Sequence, residues 1–279
     1  MRWHGSRWGV RRRDVLVAGG AAAGGLLLAR AWPESRPADP GESGDLGLAY
    51  HRWSAPGYAA RPALDWGSRP EPERRPDGMK TIPLPRQMAQ GGLSLEAAID
   101  RRRSVRDYST QPLTLPQLSR LLYSAQGLTD PAAGLRAAPS AGALYPLETY
   151  AVASRVDGLA PGLYRYAPES HALDVLREAD LGARLLRACL DQGAVGAAGV
   201  VVVLTGVFQR TRWKYGERAY RYVLLEAGHV AQNLYLAATA LGLGACAIGA
   251  FRDDQLDALL GVDGSTEAAL YVVTIGLPA

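Results

Sequence analysis

Cysteine is nearly missing from this chain of 279 residues: Cys189 and Cys246 are the only two. Two thiols so placed, with no C-x-x-C, exclude a disulfide framework and a thiolate metal cluster. Histidine is also sparse, and His4, His51, His171 and His229 are too scattered to form a metal site by spacing. Lysine is the third scarcity. Only Lys80 and Lys214 stand among 31 basic residues, so almost all the positive charge is arginine. A membrane span wants roughly 20 apolar residues, and the uncharged stretch from Val15 to Ala29 is shorter than that and rich in glycine and alanine.

The net charge of +4 invites a nucleic-acid partner until it is located along the chain. Residues 1–31 carry six arginines against Asp14, a net of +5, which leaves −1 for the remainder. The body of the protein is therefore no basic nucleic-acid binder. A basic start, the uncharged stretch and the triplet Ala29-Arg30-Ala31 read as an export signal. Arg11, Arg12 and Arg13 ahead of it resemble the twin-arginine class, a route taken by proteins already folded around a cofactor. The other reading is a basic tail without that role. Ten of the 18 prolines lie between residues 32 and 86. Residues 32–93 are accordingly expected to form an extended arm whose aromatic-bearing second half packs on a body spanning 94–279.

Within that body, Ser94 caps a short amphipathic helix carrying Leu95, Ala98 and Ile99. Thr114 and Gln117 make a capping box for a second helix that Gly127 ends. "ETYAVASRV", "GLYRYAP" and "HALDVL" read as strands, and "GVVVVLTGVF" as a central strand buried on both faces. One long helix runs from Glu217 to about Leu243, with Glu226, His229 and Asn233 on a single stripe. A strand at "ACAIGAF", a short helix at "DDQLDALLG" and a strand at "AALYVVTIG" close the chain. Helices and strands alternate without a βαβ repeat, which points to α+β.

Several short stretches admit both a chemical and a structural reading. Glu226 and His229 form a Glu-x-x-His, but a helical di-metal site needs a second copy and this chain has none; a satisfied polar stripe in a core or subunit interface is preferred. "GLGACAIG" lacks the G-x-G-x-x-G spacing and runs from helix into strand, so no dinucleotide-binding unit is expected. "RRRSVR", residues 101–106, suits a phosphate and equally suits the negative end of a helix. Lys214 lies between Trp213 and Tyr215. A lysine in an apolar setting can titrate and act as acid or base; otherwise it is a surface lysine beside packed aromatics.

Taken in order, "RRRSVRDY", "PLTLPQLSRLLYSAQG", "APSAGALYPLETY", "GLYRY", "WKYGERAYRYVLLEAGHVAQNLYLAATALGLGACAIGAF" and "VVTIG" resemble the nitroreductase superfamily, more closely its SagB-type dehydrogenase branch. The resemblance covers about residues 94–276. It implies an α+β fold with a mixed central sheet flanked by helices, and a homodimer with a long central interface helix and FMN at the subunit interface. By position, Arg102, Arg103 and Ser104 would hold the FMN phosphate and ribityl chain, and Arg106 would sit by the pyrimidine edge. Pro139, Ser140, Ala141, Gly142 and Ala143 would approach from the partner subunit. Gln192 would contact the ring, and Gly249 and Ala250 would offer backbone N–H groups to it. Lys214 and Tyr215 coincide with a Lys-Tyr pair that looks catalytic in azoline oxidases. The chain departs from the family in ending "VTIGLPA", without a further phosphate-binding cation. An exported FMN oxidoreductase that delivers electrons to oxygen or a quinone is the expectation. A nicotinamide-dependent nitroreductase or quinone reductase, and a non-enzymatic ligand-binding envelope protein, are the alternatives.

Overall fold

The computed structural model describes residues 45–54, 65, 67–70, 78–86 and 92–279. The leader, residues 1–31, lies outside the described residues. The first described helix, α1 (Leu46–Trp53), is followed by strand β1 (Thr81–Pro83), helix α2 (Leu95–Arg101), strand β2 (Leu113–Thr114) and helix α3 (Leu115–Gln126). Short strands β3 (Leu128–Asp130) and β4 (Leu135–Arg136) lead through a 3-10 turn at Ala141–Ala143 into β5 (Leu147–Ala153), β6 (Val156–Asp157), β7 (Gly162–Ala167) and β8 (Ala172–Glu178). Helices α4 (Gly182–Ala188) and α5 (Gly193–Ala197) precede β9 (Val200–Val207), then α6 (Gln209–Tyr215) and α7 (Arg218–Ala240). Strand β10 (Gly244–Ile248), helix α8 (Asp253–Leu260) and strand β11 (Glu267–Gly276) complete the chain.

Local chemistry sets the helix ends. The Ala97 N–H donates to Ser94 Oγ at the start of α2 (3.2 Å). At α3, the Thr114 N–H donates to Gln117 Oε1 (2.8 Å) and the Gln117 N–H to Thr114 Oγ1 (3.3 Å), the reciprocal bonds of a capping box. Two orphan amides are satisfied at once.

Seven strands form one sheet in the order β1-β8-β7-β5-β9-β11-β10. The sequence leads one to expect a mixed sheet; instead every pairing in it is antiparallel. Parallel neighbours need a crossover between them, whereas short connections join β7 to β8. Even the excursion through α8 returns β11 alongside β10 head to tail. Among the described residues, parallel pairing is confined to the two-residue ladder of β2 with β6. Residues 81–83, assigned from sequence to the arm, form the edge strand β1 on β8.

Strand β9 lies inside the sheet between β5 and β11, and its alternation builds two cores. Val200, Val202 and Leu204 face a layer that contains Leu118, Leu121 and Leu122 of α3 and Val223, Ala227, Val230 and Leu234 of α7. Val201 and Val203 face Leu185 of α4, Val195 of α5 and Leu256 and Leu259 of α8. Every one of these side chains is at most 4% exposed, and burying each valine or leucine contributes on the order of 1.5–3 kcal/mol before chain entropy is subtracted.

Behind the β1 edge, His171 ties three elements together. Its Nε2 lies 2.8 Å from Ser119 Oγ, its Nδ1 lies 2.8 Å from the Tyr166 hydroxyl, and the Ser119 hydroxyl donates to the Pro85 carbonyl. These contacts close as a network when Tyr166 donates to Nδ1 and Nε2–H donates to Ser119, which requires the neutral ring. Desolvation first, then the Arg86 charge, holds the pKa below the usual histidine value. The unfolded residue takes up a proton near pH 6.5 while the folded one resists, so this contribution is present above that pH and falls away below it. Thermal unfolding followed from pH 7.5 to 5 should therefore show a decline in Tm that is shallower in His171→Gln.

Candidate active site

Two groups of residues stand out, one at each side of α7. The first begins where α2 ends. Residues after Arg102 run beside the start of β10, with Ser104 bridged to Ala245 and the Val105 N–H donating to the Ala245 carbonyl (2.9 Å). Tyr235 of α7 fixes this junction. Its hydroxyl lies 3.0 Å from Ser104 Oγ and accepts the Ala247 N–H (2.6 Å), while the Arg102 guanidinium sits 5.3 Å over its ring. Arg103 Nη1 donates to the carbonyls of Asp100 (3.0 Å) and Arg102 (2.7 Å), so it serves the helix C-terminus. Arg106 is exposed.

The far end of β10 is open. Gly249 and Ala250 are exposed, and a Cβ built on Gly249 would meet only the edge of the Tyr271 ring, 4.0 Å away. Gln192 reaches this point from α5, its Nε2 donating to the carbonyls of Ala250 (2.8 Å) and Cys189 (2.9 Å). From Ala245 to Gly249 is four residues, about 13 Å of strand. One end of this strand therefore lies beside Ser104 and the arginine segment, and the other leads into uncovered backbone.

The second group is the loop from Pro139 to Tyr145. Gly142, Ala143 and Tyr145 all have positive φ, at 64°, 53° and 46°, which two of the three tolerate only because side chains hold the turn. The Ala141 N–H donates to Glu226 Oε1 (2.8 Å), and the Tyr145 N–H to Ser140 Oγ (2.9 Å). Glu226 is 5% exposed. Burial raises its pKa above the usual glutamate value, against the opposing bonds from Ala141 and Ser140.

Lys214 and Tyr215 end α6, and Gly216 (φ 55°, ψ −135°) breaks the helix before α7 begins. Their polar ends converge on the loop: a Cβ added to Gly142 would stand 2.7 Å from Lys214 Nζ and 2.8 Å from the Tyr215 hydroxyl. Tyr215 packs edge-on against Tyr222, with ring centroids 5.1 Å apart. Lys214 is exposed. The apolar shielding expected from its aromatic neighbours is therefore not supplied by the described residues of one chain.

Within one chain the two groups stay apart. Glu226 holds the loop and Tyr235 holds Arg102 and Ser104; nine residues separate them on α7, two and a half turns or about 13.5 Å, on opposite faces. From sequence, Glu226 is one member of a Glu-x-x-His and of a polar stripe, with no sign of its loop partner. In the fold that stripe divides: Glu226 binds the loop, Asn233 Nδ2 donates to the Ser124 carbonyl (2.9 Å), and His229 is exposed. Tyr235 was not singled out at all, and nothing in its immediate sequence marks it.

A family model described as the nitroreductase family matches residues 99–277. A Methanocaldococcus jannaschii protein named as a nitroreductase is 43% identical over 184 residues, 66% of this chain and 91% of that protein. The microcin B17-processing protein McbC of Escherichia coli is 29% identical over 171 residues, 59% of this chain and 62% of that one. Among solved structures, a Ralstonia eutropha protein, likewise named as a nitroreductase, superposes with a TM-score of 0.62 at 31% identity, covering 71% of this chain and 90% of its own.

Proposed function

Because the chain belongs to the nitroreductase family, in its SagB-type dehydrogenase branch, and is thereby an oxidoreductase, we propose that it is an exported FMN enzyme working at a homodimer interface. The observation that carries this reading is the convergence of Lys214 Nζ and the Tyr215 hydroxyl on Gly142. Two proton-handling groups meet over a bare patch of backbone, as removal of a proton from a substrate carbon requires.

The β10 strip fits the cofactor. Arg102 and Ser104 would take the phosphate, with Arg106 close to the ring's pyrimidine edge, and the uncovered backbone of Gly249 and Ala250 would receive the ring, flanked by Gln192. When bound, FMN would supply the two-electron acceptor that no side chain provides. The chain's own residues do the rest. Lys214 and Tyr215 hold the proton, Glu226 fixes the loop beneath them, and fixed cations stabilise negative charge at the ring.

A second copy is needed to bring the two groups together, since they lie on opposite faces of α7. Apolar surface suited to that role is uncovered: Leu224 and Leu225 on α7 are 41% and 56% exposed, and Leu95 and Ile99 on α2 are 61% and 52% exposed. Export rests on the sequence of residues 11–31. It would separate the enzyme from cytoplasmic nicotinamide cofactors, which favours oxidising a substrate and passing electrons to oxygen or a quinone. The Escherichia coli relative is named for microcin B17 processing, which supports a peptide-derived substrate; the leader argues against a nascent cytosolic peptide.

The deciding test is the visible spectrum of the purified full chain and the cofactor released on denaturation. A yellow dimer that releases FMN is expected; a colourless protein that FMN cannot reconstitute would sink the proposal. Gly142→Ala provides a finer test. Its Cβ would displace both polar ends and add a strained φ, so turnover should fall by about 100-fold, the cost of misplacing reacting groups by an ångström. Bound flavin should be unchanged.

A further inference from the structure

Behind the loop that carries Gly142 lies a cavity of about 590 Å³ that the active-site reading does not use. That volume is in the range of small-molecule sites. Four arginines line it, Arg69, Arg136, Arg165 and Arg210, against three carboxylates, Glu148, Glu169 and Asp174. The lining therefore carries one excess positive charge.

The carboxylates hold the guanidinium groups in place. Arg210 Nη1 lies 2.5 Å from Glu148, Arg136 Nη2 lies 2.9 Å from Glu169, and Arg165 Nη2 lies 3.5 Å from Asp174. The side chains of Arg136, Arg165 and Arg210 are only 15%, 12% and 22% exposed, so an anion reaching them is bound in a partly dry site, where charge-assisted bonds are strong. A guanidinium has five donors. Among the described residues Arg210 commits only Nη1, to Glu148 and to the Tyr145 carbonyl (3.4 Å). The arm contributes Arg69, and Gln209 Nε2 donating to the Ser68 carbonyl (3.4 Å) holds this segment on α6.

The position of the cavity matters more than its charge. Arg210 and Lys214 are four residues apart on α6, on one helix face and about 6 Å apart along the axis. Ala143 lines the cavity, and its neighbour Gly142 lies beneath Lys214 and Tyr215. The cavity thus borders the same loop on which the reacting pair converges.

We propose that this cavity binds a carboxylate of the substrate, so that the enzyme acts on an organic acid anchored at Arg210 and presented to Lys214 and Tyr215, one helical turn further along α6. The substrate role rests on the proposed function; anion binding in the cavity does not.

The test is isothermal titration of the full chain with N-acetylglycylglycine, its carboxamide and inorganic phosphate. The carboxylate is expected to bind at least about tenfold tighter than the carboxamide, the worth of one charge-assisted bond. Arg210→Gln, and Arg136→Gln as a second variant should the first fold poorly, should weaken it by about the same factor. Glu148→Gln, which removes a competing negative charge, should tighten it. Lys214→Ala should leave the affinity in place. Equal binding of carboxylate and carboxamide, tighter binding of phosphate, or loss of binding in Lys214→Ala with retention in Arg210→Gln would each overturn the assignment. A colourless protein that still binds the carboxylate would instead overturn the flavin reading and leave this site standing.

Discussion

Lys214→Ala should lower turnover by about 10²- to 10⁴-fold, the usual contribution of a positioned acid or base, while leaving bound flavin and the dimer intact. The expectation follows from where Nζ lies: at the end of α6 with the Tyr215 hydroxyl, over the backbone of Gly142, on the side of α7 away from the residues that would hold the phosphate. Tyr215→Phe should act in the same direction, keeping the edge-on packing against Tyr222 and removing only the hydroxyl. The measurement is steady-state turnover beside the visible spectrum. If Lys214→Ala turned over normally at full flavin content, Lys214 would be a surface lysine and no more.

Arg102→Glu should abolish flavin retention. The wild-type guanidinium sits over the Tyr235 ring, and Tyr235 in turn ties Ser104 to β10. A carboxylate there loses the ring contact and faces a phosphate, and like charges brought together cost several kcal/mol, about 100-fold or more in affinity. Protein purified with this change should be colourless yet folded, since the Arg102 backbone N–H still caps α2 through the Ala98 carbonyl. A variant that stays yellow would leave the 101–106 cluster serving the helix end alone, as Arg103 does through its bonds to Asp100 and Arg102.

Much of the framework was legible because its causes are local. The capping box at Thr114 and Gln117, the Ser94 cap and the β-branched run of β9 each declare themselves within a few residues. What was not legible depends on distant partners. Glu226 looked like one member of a polar stripe, and its bond to Ala141 spans 85 positions. Tyr235 meets Ser104 across 131. The mixed sheet came from the family resemblance alone, because strand direction depends on which strands become neighbours, which no single segment encodes. The meeting of Lys214 and Tyr215 with Gly142 was half visible: Gly142 was expected to approach the cofactor from the partner subunit and Lys214 and Tyr215 to be a catalytic pair, but nothing in the sequence joined the two.

That the loop and the arginines occupy opposite faces of one helix has a genetic consequence. If each site takes its loop from one copy and its arginines from the other, then Lys214→Ala and Arg102→Glu damage different halves. Co-expressed, the two inactive variants would form mixed dimers in which one site inherits both defects and the other neither. About half of randomly assembled dimers are mixed, so about a quarter of all sites should work. Two dead alleles would complement each other.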